Sequence, residues 1–155
     1  MERMRLGSNG ARSDFAKDVY RSFLGEFEAI TSYAQGAIML AGSHPAVARL
    51  LDEISRVEMS HFEQLGQLLV HLGVSPNLNL RLRQESLRPG TNPDNAAVEL
   101  LRRSLSDERA AEAEYQRLAQ MAPGEAVQNM LLEISGEEAG HATAIEGMLK
   151  RLGGA

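Results

Sequence analysis

The sequence contains the spacing Glu-x-x-His twice, with Glu58 and His61 in one copy and Glu138 and His141 in the other. Residues at positions i and i+3 lie on one face of an α-helix, so each copy would direct a carboxylate and an imidazole to the same side. Oxygen and imidazole ligands together suit iron or manganese. One such pair is a weak signal, but two copies in matching segments indicate a metal site.

The two copies belong to longer internal repeats. The segments LLDEISRVEMSH (50–61) and MLLEISGEEAGH (130–141) share leucine, Glu-Ile-Ser, glutamate and histidine at an offset of 80 residues. The pattern Glu-x-x-Ala-x-x-x-Tyr precedes each of them, starting at Glu26 and at Glu108, at an offset of 82. The repeats predict two similar hairpins that bring matched polar groups to one centre.

Six polar residues occupy positions on the apolar stripes of these segments, where leucines would be expected. Four buried carboxylates without partners would cost many kcal/mol or would become protonated. Two divalent cations would balance their charge. We assign one terminal pair to each metal and one glutamate of each Glu-x-x-His to a position between them: Glu26 and His61, Glu108 and His141, and Glu58 and Glu138, respectively. The alternative, an exposed face of polar pairs, would contribute only tenths of a kcal/mol and does not explain why all six lie on the apolar stripe.

Three further residues lie on the same stripes. Tyr33 and Tyr115 each follow a predicted ligand by two helical turns, and we interpret them as hydrogen-bond donors to ligand carboxylates, with a redox role left open. The alternative is a pair of core tyrosines with satisfied hydroxyl groups. Glu112 is interpreted either as a seventh carboxylate near the metals or as a side chain that leans out to solvent.

Four elements must position these residues. Apolar residues that alternate at spacings of three and four predict helices packed in a bundle. The short breaks AGSHP and APGE predict two antiparallel hairpins, and a longer segment with three prolines predicts a crossover that makes the second and third helices parallel. The fold is therefore predicted to be all-α, with a flexible N-terminus at 1–13, a bundle at 14–155, helices near 14–41, 44–73, 94–122 and 124–152, and a crossover at 74–93.

Composition excludes several classes of protein. The chain has 155 residues, a net charge of −5 and no cysteine. The negative charge argues against a binder of nucleic acid, and the absence of cysteine excludes disulfides, zinc ribbons and iron–sulfur clusters. No apolar run is long enough to predict a membrane span, and the N-terminal residues lack the apolar segment of a signal peptide. We expect a cytoplasmic protein.

The motifs resemble those of the ferritin-like superfamily over residues 14–152. GEFEAITSY (25–33) is similar to the first helix of rubrerythrins and manganese catalases, and HPAVARLLDEISRVEMSHFE (44–63) to the second helix of manganese catalases. DERAAEAEYQRLA and EEAGHATAI are similar to the second half of rubrerythrins. The pattern differs where rubrerythrins carry an extra glutamate, since Ala111 stands there with Glu112 beside it, and there is no rubredoxin domain.

The resemblance implies a dinuclear centre that is itself the catalytic group, with two divalent ions, iron before manganese. The expected function is an oxidoreductase for hydrogen peroxide or dioxygen, of the rubrerythrin peroxidase or catalase type. A peroxidase would need an external electron donor. The alternatives are a ferroxidase or iron-storage protein and a non-enzymatic helical metal-binding module. We expect a homodimer.

Overall fold

Four α-helices make up most of the computed structural model, which describes residues 9–80, 90 and 92–153. They are α1 (Asn9–Leu40), α2 (Pro45–His71), α3 (Pro93–Met121) and α4 (Glu125–Arg151). No strand occurs in this part of the chain. The predicted all-α, four-helix fold is confirmed.

The first helix begins earlier than the sequence predicts. Residues 9–13 of the predicted flexible N-terminus are helical, whereas residues 1–8 lie outside the described residues. Ala11 and Arg12 have high helix propensity, and a single Gly10 near the end of a helix costs little. The next turn buries Phe15 and Ala16, so packing of the following turn supports the extension.

Local sequence signals fix the ends of the helices around the long connection. Helix α2 ends in a Schellman motif, in which Gly73 has a φ of +80° and the amide of Val74 donates to the carbonyl of Leu69 at 2.8 Å. Asn92 begins α3 by accepting a hydrogen bond from the amide of Asp94 at 2.9 Å. Residues 81–89 and 91 of the predicted crossover lie outside the described residues.

The helices form two hairpins, because α1 packs mainly along α2 and α3 mainly along α4. His44 immediately precedes α2, and its Nε2 lies 2.9 Å from Oδ1 of Asp94 in the first turn of α3. Helices α2 and α3 therefore begin at the same end of the bundle and run parallel. The connection between them must cross the length of the bundle, as the sequence predicts.

The apolar core is divided into two parts. One part contains Phe15, Phe23 and Leu65, and the other contains Leu51, Leu101 and Ile145. Tyr115 belongs to the first part and Tyr33 to the second. The predicted polar residues lie between these apolar parts, which hold the four helices in register around them. Among the described helices, none combines the length and the apolar character that crossing a bilayer requires.

Candidate metal centre

The six predicted ligand residues meet in the middle of the bundle. Each helix contributes to the cluster: α1 supplies one glutamate, α3 another, and α2 and α4 each supply a glutamate and a histidine. Glu26, Glu58, Glu108 and Glu138 are at most 5% exposed, and His61 is fully buried. Only His141, with a side chain 13% exposed, has appreciable contact with solvent. The apolar stripes therefore carry these polar groups into the interior.

The ligand atoms form two groups of four residues. Glu26, Glu58, His61 and Glu138 form one group, and Glu58, Glu108, Glu138 and His141 form the other. Within each group, one ligand atom from every residue lies within 4.8 Å of the others. Glu58 and Glu138 are common to both groups, which is the position that the sequence predicts for residues between two metals.

Both imidazoles turn Nδ1 toward the carboxylates. Nδ1 of His61 lies 2.7 Å from Oε1 of Glu138, 2.9 Å from Oε2 of Glu58 and 3.8 Å from Oε1 of Glu26. Nδ1 of His141 lies 3.2 Å from Oε1 of Glu58 and 3.7 Å from Oε2 of Glu108. The two rings are 6.2 Å apart. Each imidazole thus faces a carboxylate oxygen from three different helices.

Unsatisfied polar atoms show that these residues fit metal ions. Within the described part of the chain, four buried side-chain atoms have no hydrogen-bond partner: Oε1 of Glu58, Oε2 of Glu108, Oε1 of Glu138 and Nδ1 of His141. Buried polar atoms without partners are costly, and these four all belong to the cluster. Oxygen and imidazole donors converging on one centre are the donor set that iron or manganese requires.

Burial controls the protonation of the two outer glutamates. Loss of solvation, with the charge of Glu58 nearby, raises the pKa of Glu26 to about 10. Loss of solvation, with the charges of Glu138 and Glu58, likewise raises the pKa of Glu108 to about 9, although His141 acts in the opposite direction. Both carboxyl groups are therefore neutral at pH 7 in the metal-free protein.

The two central glutamates and the histidines carry the charges. Burial disfavours the imidazolium form of His61, but Glu138 and Glu58 outweigh it and raise its pKa to about 10. Burial is similarly outweighed at His141, where Glu108, Glu138 and Glu58 raise the pKa to about 12. Burial acts to raise the pKa of Glu58 and Glu138, yet both histidines together hold these pKa values below the ordinary value. Two anions and two cations make the metal-free cluster neutral.

The two tyrosines form hydrogen bonds that cross between the hairpins. Tyr33 on α1 donates to Oε1 of Glu108 on α3, and Tyr115 on α3 donates to Oε1 of Glu26 on α1. Burial and then the adjacent carboxylate raise the pKa of each tyrosine, so both hydroxyl groups remain donors. Each tyrosine therefore orients the glutamate of the opposite hairpin rather than the one on its own helix.

Two serines of the repeated Glu-Ile-Ser have a role that the sequence does not reveal. Ser55 on α2 donates to the carbonyl oxygen of Ile30 on α1 at 3.1 Å. Ser135 on α4 donates to the carbonyl oxygen of Glu112 on α3 at 3.0 Å. Since these pairs obey the same offsets as the ligands, their repetition was the available signal. They fix each helix of a hairpin one turn from its ligand.

Two glutamates differ from the simplest expectation. The carboxylate of Glu112 belongs to neither group of four, and the residue is half-buried. This favours the alternative in which Glu112 leans away from the cluster. Glu137, which the sequence analysis did not single out, has Oε2 3.3 Å from Nε2 of His61 although its side chain is 52% exposed.

A cavity of about 500 Å³ connects the cluster with the surface between α1 and α3. All four ligand glutamates line its inner part, together with both tyrosines. The small residues Gly25, Ala29 and Ala111 line its walls. Small side chains on facing helices leave the space open, so peroxide, dioxygen or a metal ion can reach the carboxylates.

Comparison with known proteins identifies the fold family. Residues 21–155 match the family model described as the ferritin-like domain of the ferritin group. A bacterioferritin with a diiron site from Desulfovibrio desulfuricans is 20% identical, with a TM-score of 0.73 over 96% of this chain and 87% of that chain. KatB, a manganese catalase from Anabaena, is 19% identical, with a TM-score of 0.72 over 99% and 78%.

No curated protein matches the sequence. The two likenesses to solved structures concern the fold, whereas the family model covers most of the sequence. The hairpin pair, the long crossover and the central cluster agree with that match. The chain belongs to the ferritin-like domain family.

Proposed function

We propose that the cluster binds two divalent metal ions and that the protein is an oxidoreductase acting on hydrogen peroxide or dioxygen. The observation that supports this most directly is the pair of four-residue groups that share Glu58 and Glu138. Glu26 and His61 would hold one ion, Glu108 and His141 the other, and the shared glutamates would contact both. Iron is the first candidate and manganese the second.

The residues of the chain would contribute binding, orientation and control of protons. Tyr33 and Tyr115 would hold the outer carboxylates in place, and the cavity between α1 and α3 would admit a small substrate. The apolar core on either side would exclude bulk water from the buried side of the cluster. Bound iron or manganese would supply redox equivalents for cleavage of an O–O bond, one electron from each ion.

Rapid mixing tests the reaction. Protein loaded anaerobically with Fe²⁺ or Mn²⁺ should change its absorbance spectrum within seconds of mixing with hydrogen peroxide. His61→Ala should lose the response, whereas His71→Ala should keep it, because His71 is an exposed histidine of the same helix outside the cluster. A loaded wild-type protein whose spectrum does not respond would overturn the proposed reaction.

Dependence on a reductant then separates the two peroxide reactions. A peroxidase consumes two electrons and two protons for each peroxide that is reduced to two waters, so turnover requires an external electron donor. A catalase converts two peroxides to dioxygen and two waters without any donor. Oxygen release without reductant therefore indicates catalase chemistry, and turnover only with reductant indicates peroxidase chemistry.

The second candidate function is oxidation and handling of iron. The acidic residues Glu28, Asp107 and Glu114 also line the cavity, with the four ligand glutamates at its inner part. This concentration of negative charge would attract cations toward the cluster. Storage requires a large hollow assembly, so light scattering that gives the mass of a monomer or dimer would exclude it. Dioxygen consumption proportional to added Fe²⁺, without peroxide turnover, would favour ferroxidation.

A further inference from the structure

The two histidines of the cluster have different surroundings on their outer sides. Each ring turns Nδ1 inward, so Nε2 points away from the carboxylates. Nε2 of His61 lies 3.3 Å from Oε2 of Glu137, and this contact joins α2 to α4 outside the cluster. Among the described residues, the ion pairs of His141 involve Nδ1 alone.

The internal repeat explains this difference. The offset of 80 residues that relates His61 to His141 also relates Val57 to Glu137. The position equivalent to Glu137 is therefore apolar in the first hairpin and cannot accept a hydrogen bond from a histidine. His141 is correspondingly 13% exposed, whereas His61 is fully buried. The ligands obey the pseudo-symmetry of the bundle, but their outer support does not.

A carboxylate that accepts from Nε2–H fixes both the orientation and the tautomer of an imidazole. The proton is kept on Nε2, and the lone pair of Nδ1 is left for a metal ion. Loss of such an outer partner typically lowers metal affinity by about 10- to 100-fold. His61 has this support from Glu137, whereas the position beside His141 offers only a valine.

We propose that Glu137 is a positioning residue that makes the Glu26–His61 position the tighter of two metal positions, so that the two ions bind in sequence. This inference rests on the proposed binding of two metals. The Glu26–His61 position would fill first, and the Glu108–His141 position would fill second.

Titration of the metal-free, full-length protein with Co²⁺ tests the order of binding, with calorimetry for affinity and visible absorbance for coordination. The wild-type protein should bind two ions in two steps that differ by about 10-fold or more. Glu137→Val, which makes the outer positions alike, should weaken the first step by about 10- to 100-fold and leave the second nearly unchanged. Glu137→Gln keeps an acceptor oxygen and should recover much of the affinity.

Two controls separate positioning from a general effect of charge or folding. Glu133→Val removes the same charge from an exposed position one turn away on α4 and should leave both steps unchanged. In His141→Ala protein, where the remaining ion binds through His61, Glu137→Val should still weaken binding about 10-fold or more. In His61→Ala protein, Glu137→Val should change the affinity less than about twofold.

The outcomes distinguish this inference from the proposed function. If the wild-type protein binds no Co²⁺, Fe²⁺ or Mn²⁺, the dinuclear site itself is wrong. If Glu137→Val binds two ions with wild-type affinities, the site stands and the role of Glu137 is overturned. Equal weakening by Glu133→Val would also overturn it, because general electrostatics would then account for the effect.

Discussion

At the scale of the residue, the cluster places four carboxyl groups and two imidazoles in the interior without a net charge. Burial keeps Glu26 and Glu108 protonated, while the two histidines hold Glu58 and Glu138 as anions. Two divalent ions could replace the protons on Glu26, Glu108 and both histidines without changing the total charge. The same residues can therefore remain buried in metal-free and metal-loaded forms.

The crossed tyrosine hydrogen bonds provide a test at this scale. Tyr33→Phe leaves Oε1 of buried Glu108 without its donor, which should lower the free energy of unfolding of the metal-free protein by about 1–3 kcal/mol. The loss should be smaller in the metal-loaded protein, because the cation also interacts with that carboxylate. Denaturant titrations with and without metal measure the difference, and Tyr115→Phe should behave in the same way.

Tyr20→Phe is the matched control for this prediction. The hydroxyl group of Tyr20 donates to the carbonyl oxygen of Asn77 at 2.7 Å, away from the cluster. Its removal should have the same cost with and without metal. A cost of Tyr33→Phe that is equally independent of metal would contradict the role of Tyr33 as the donor to a ligand.

At the scale of the element, the helices form two similar hairpins with ligands at equivalent heights. Hydrogen bonds from Ser55 and Ser135 to the facing helix set the height within each hairpin. Between the hairpins, α1 must approach α2 and α3 closely near Gly36. A Cβ atom at Gly36 would lie 2.5 Å from Cδ2 of Leu100 and 3.0 Å from Cδ1 of Leu51. The missing side chain therefore permits the packing of three helices.

Substitution of two helical glycines tests this packing. Gly147 lies in exposed α4, and a Cβ atom there meets nothing within 4 Å. Gly147→Ala should raise the free energy of unfolding by about 0.5–1 kcal/mol, because alanine favours the helix. Gly36→Val should lower it by about 1–3 kcal/mol, because the added atoms overpack the interface. Thermal and denaturant unfolding of both variants measure the changes, and a stabilised Gly36→Val protein would show that the interface is looser.

At the scale of the whole molecule, two apolar parts enclose a polar centre, and the stability of the bundle is coupled to the state of that centre. The pKa values of Glu26 and Glu108 rise from 4.5 to about 10 and about 9 on folding, and those of His61 and His141 rise from 6.5 to about 10 and about 12. At pH 6–9 the folded metal-free protein consequently binds more protons than the unfolded chain.

Stability of the metal-free protein should therefore fall as the pH rises from 6 to 9, since stability decreases with pH wherever the folded state binds more protons. The lowered pKa values of Glu58 and Glu138 act in the opposite sense, but their effect is lost only as the pH falls below about 4.5. Two bound divalent ions should restore stability, most strongly at pH 9, where protons compete least for the ligands.

Denaturant midpoints at pH 6 and pH 9, with and without Mn²⁺, measure this coupling. Glu26→Gln provides the control, because a neutral amide cannot lose a proton as the pH rises. The variant should show a weaker dependence on pH than the wild-type protein. A metal-free wild-type protein that is equally stable at both pH values, or more stable at pH 9, would contradict the protonation of the buried cluster.

Much of the fold follows from the sequence because helical periodicity is a local property. The spacings of three and four, the Gly and Pro breaks and the long crossover predict the hairpins and their parallel central helices. The N-terminal limit of α1 does not follow, since burial of Phe15 and Ala16 extends the helix to Asn9 through residues that carry no apolar pattern.

The sequence by itself determined the all-α bundle and the six polar residues on its inner face, because a buried position on a helix repeats every three or four residues. Only the tertiary structure decided which groups meet across the hairpins: Tyr33 with Glu108, Tyr115 with Glu26, and Glu137 with His61. It also decided that Glu112 stands apart from the cluster. Those contacts depend on the rotation and spacing of separate helices, which are set by packing of the whole core and leave no local pattern in the chain.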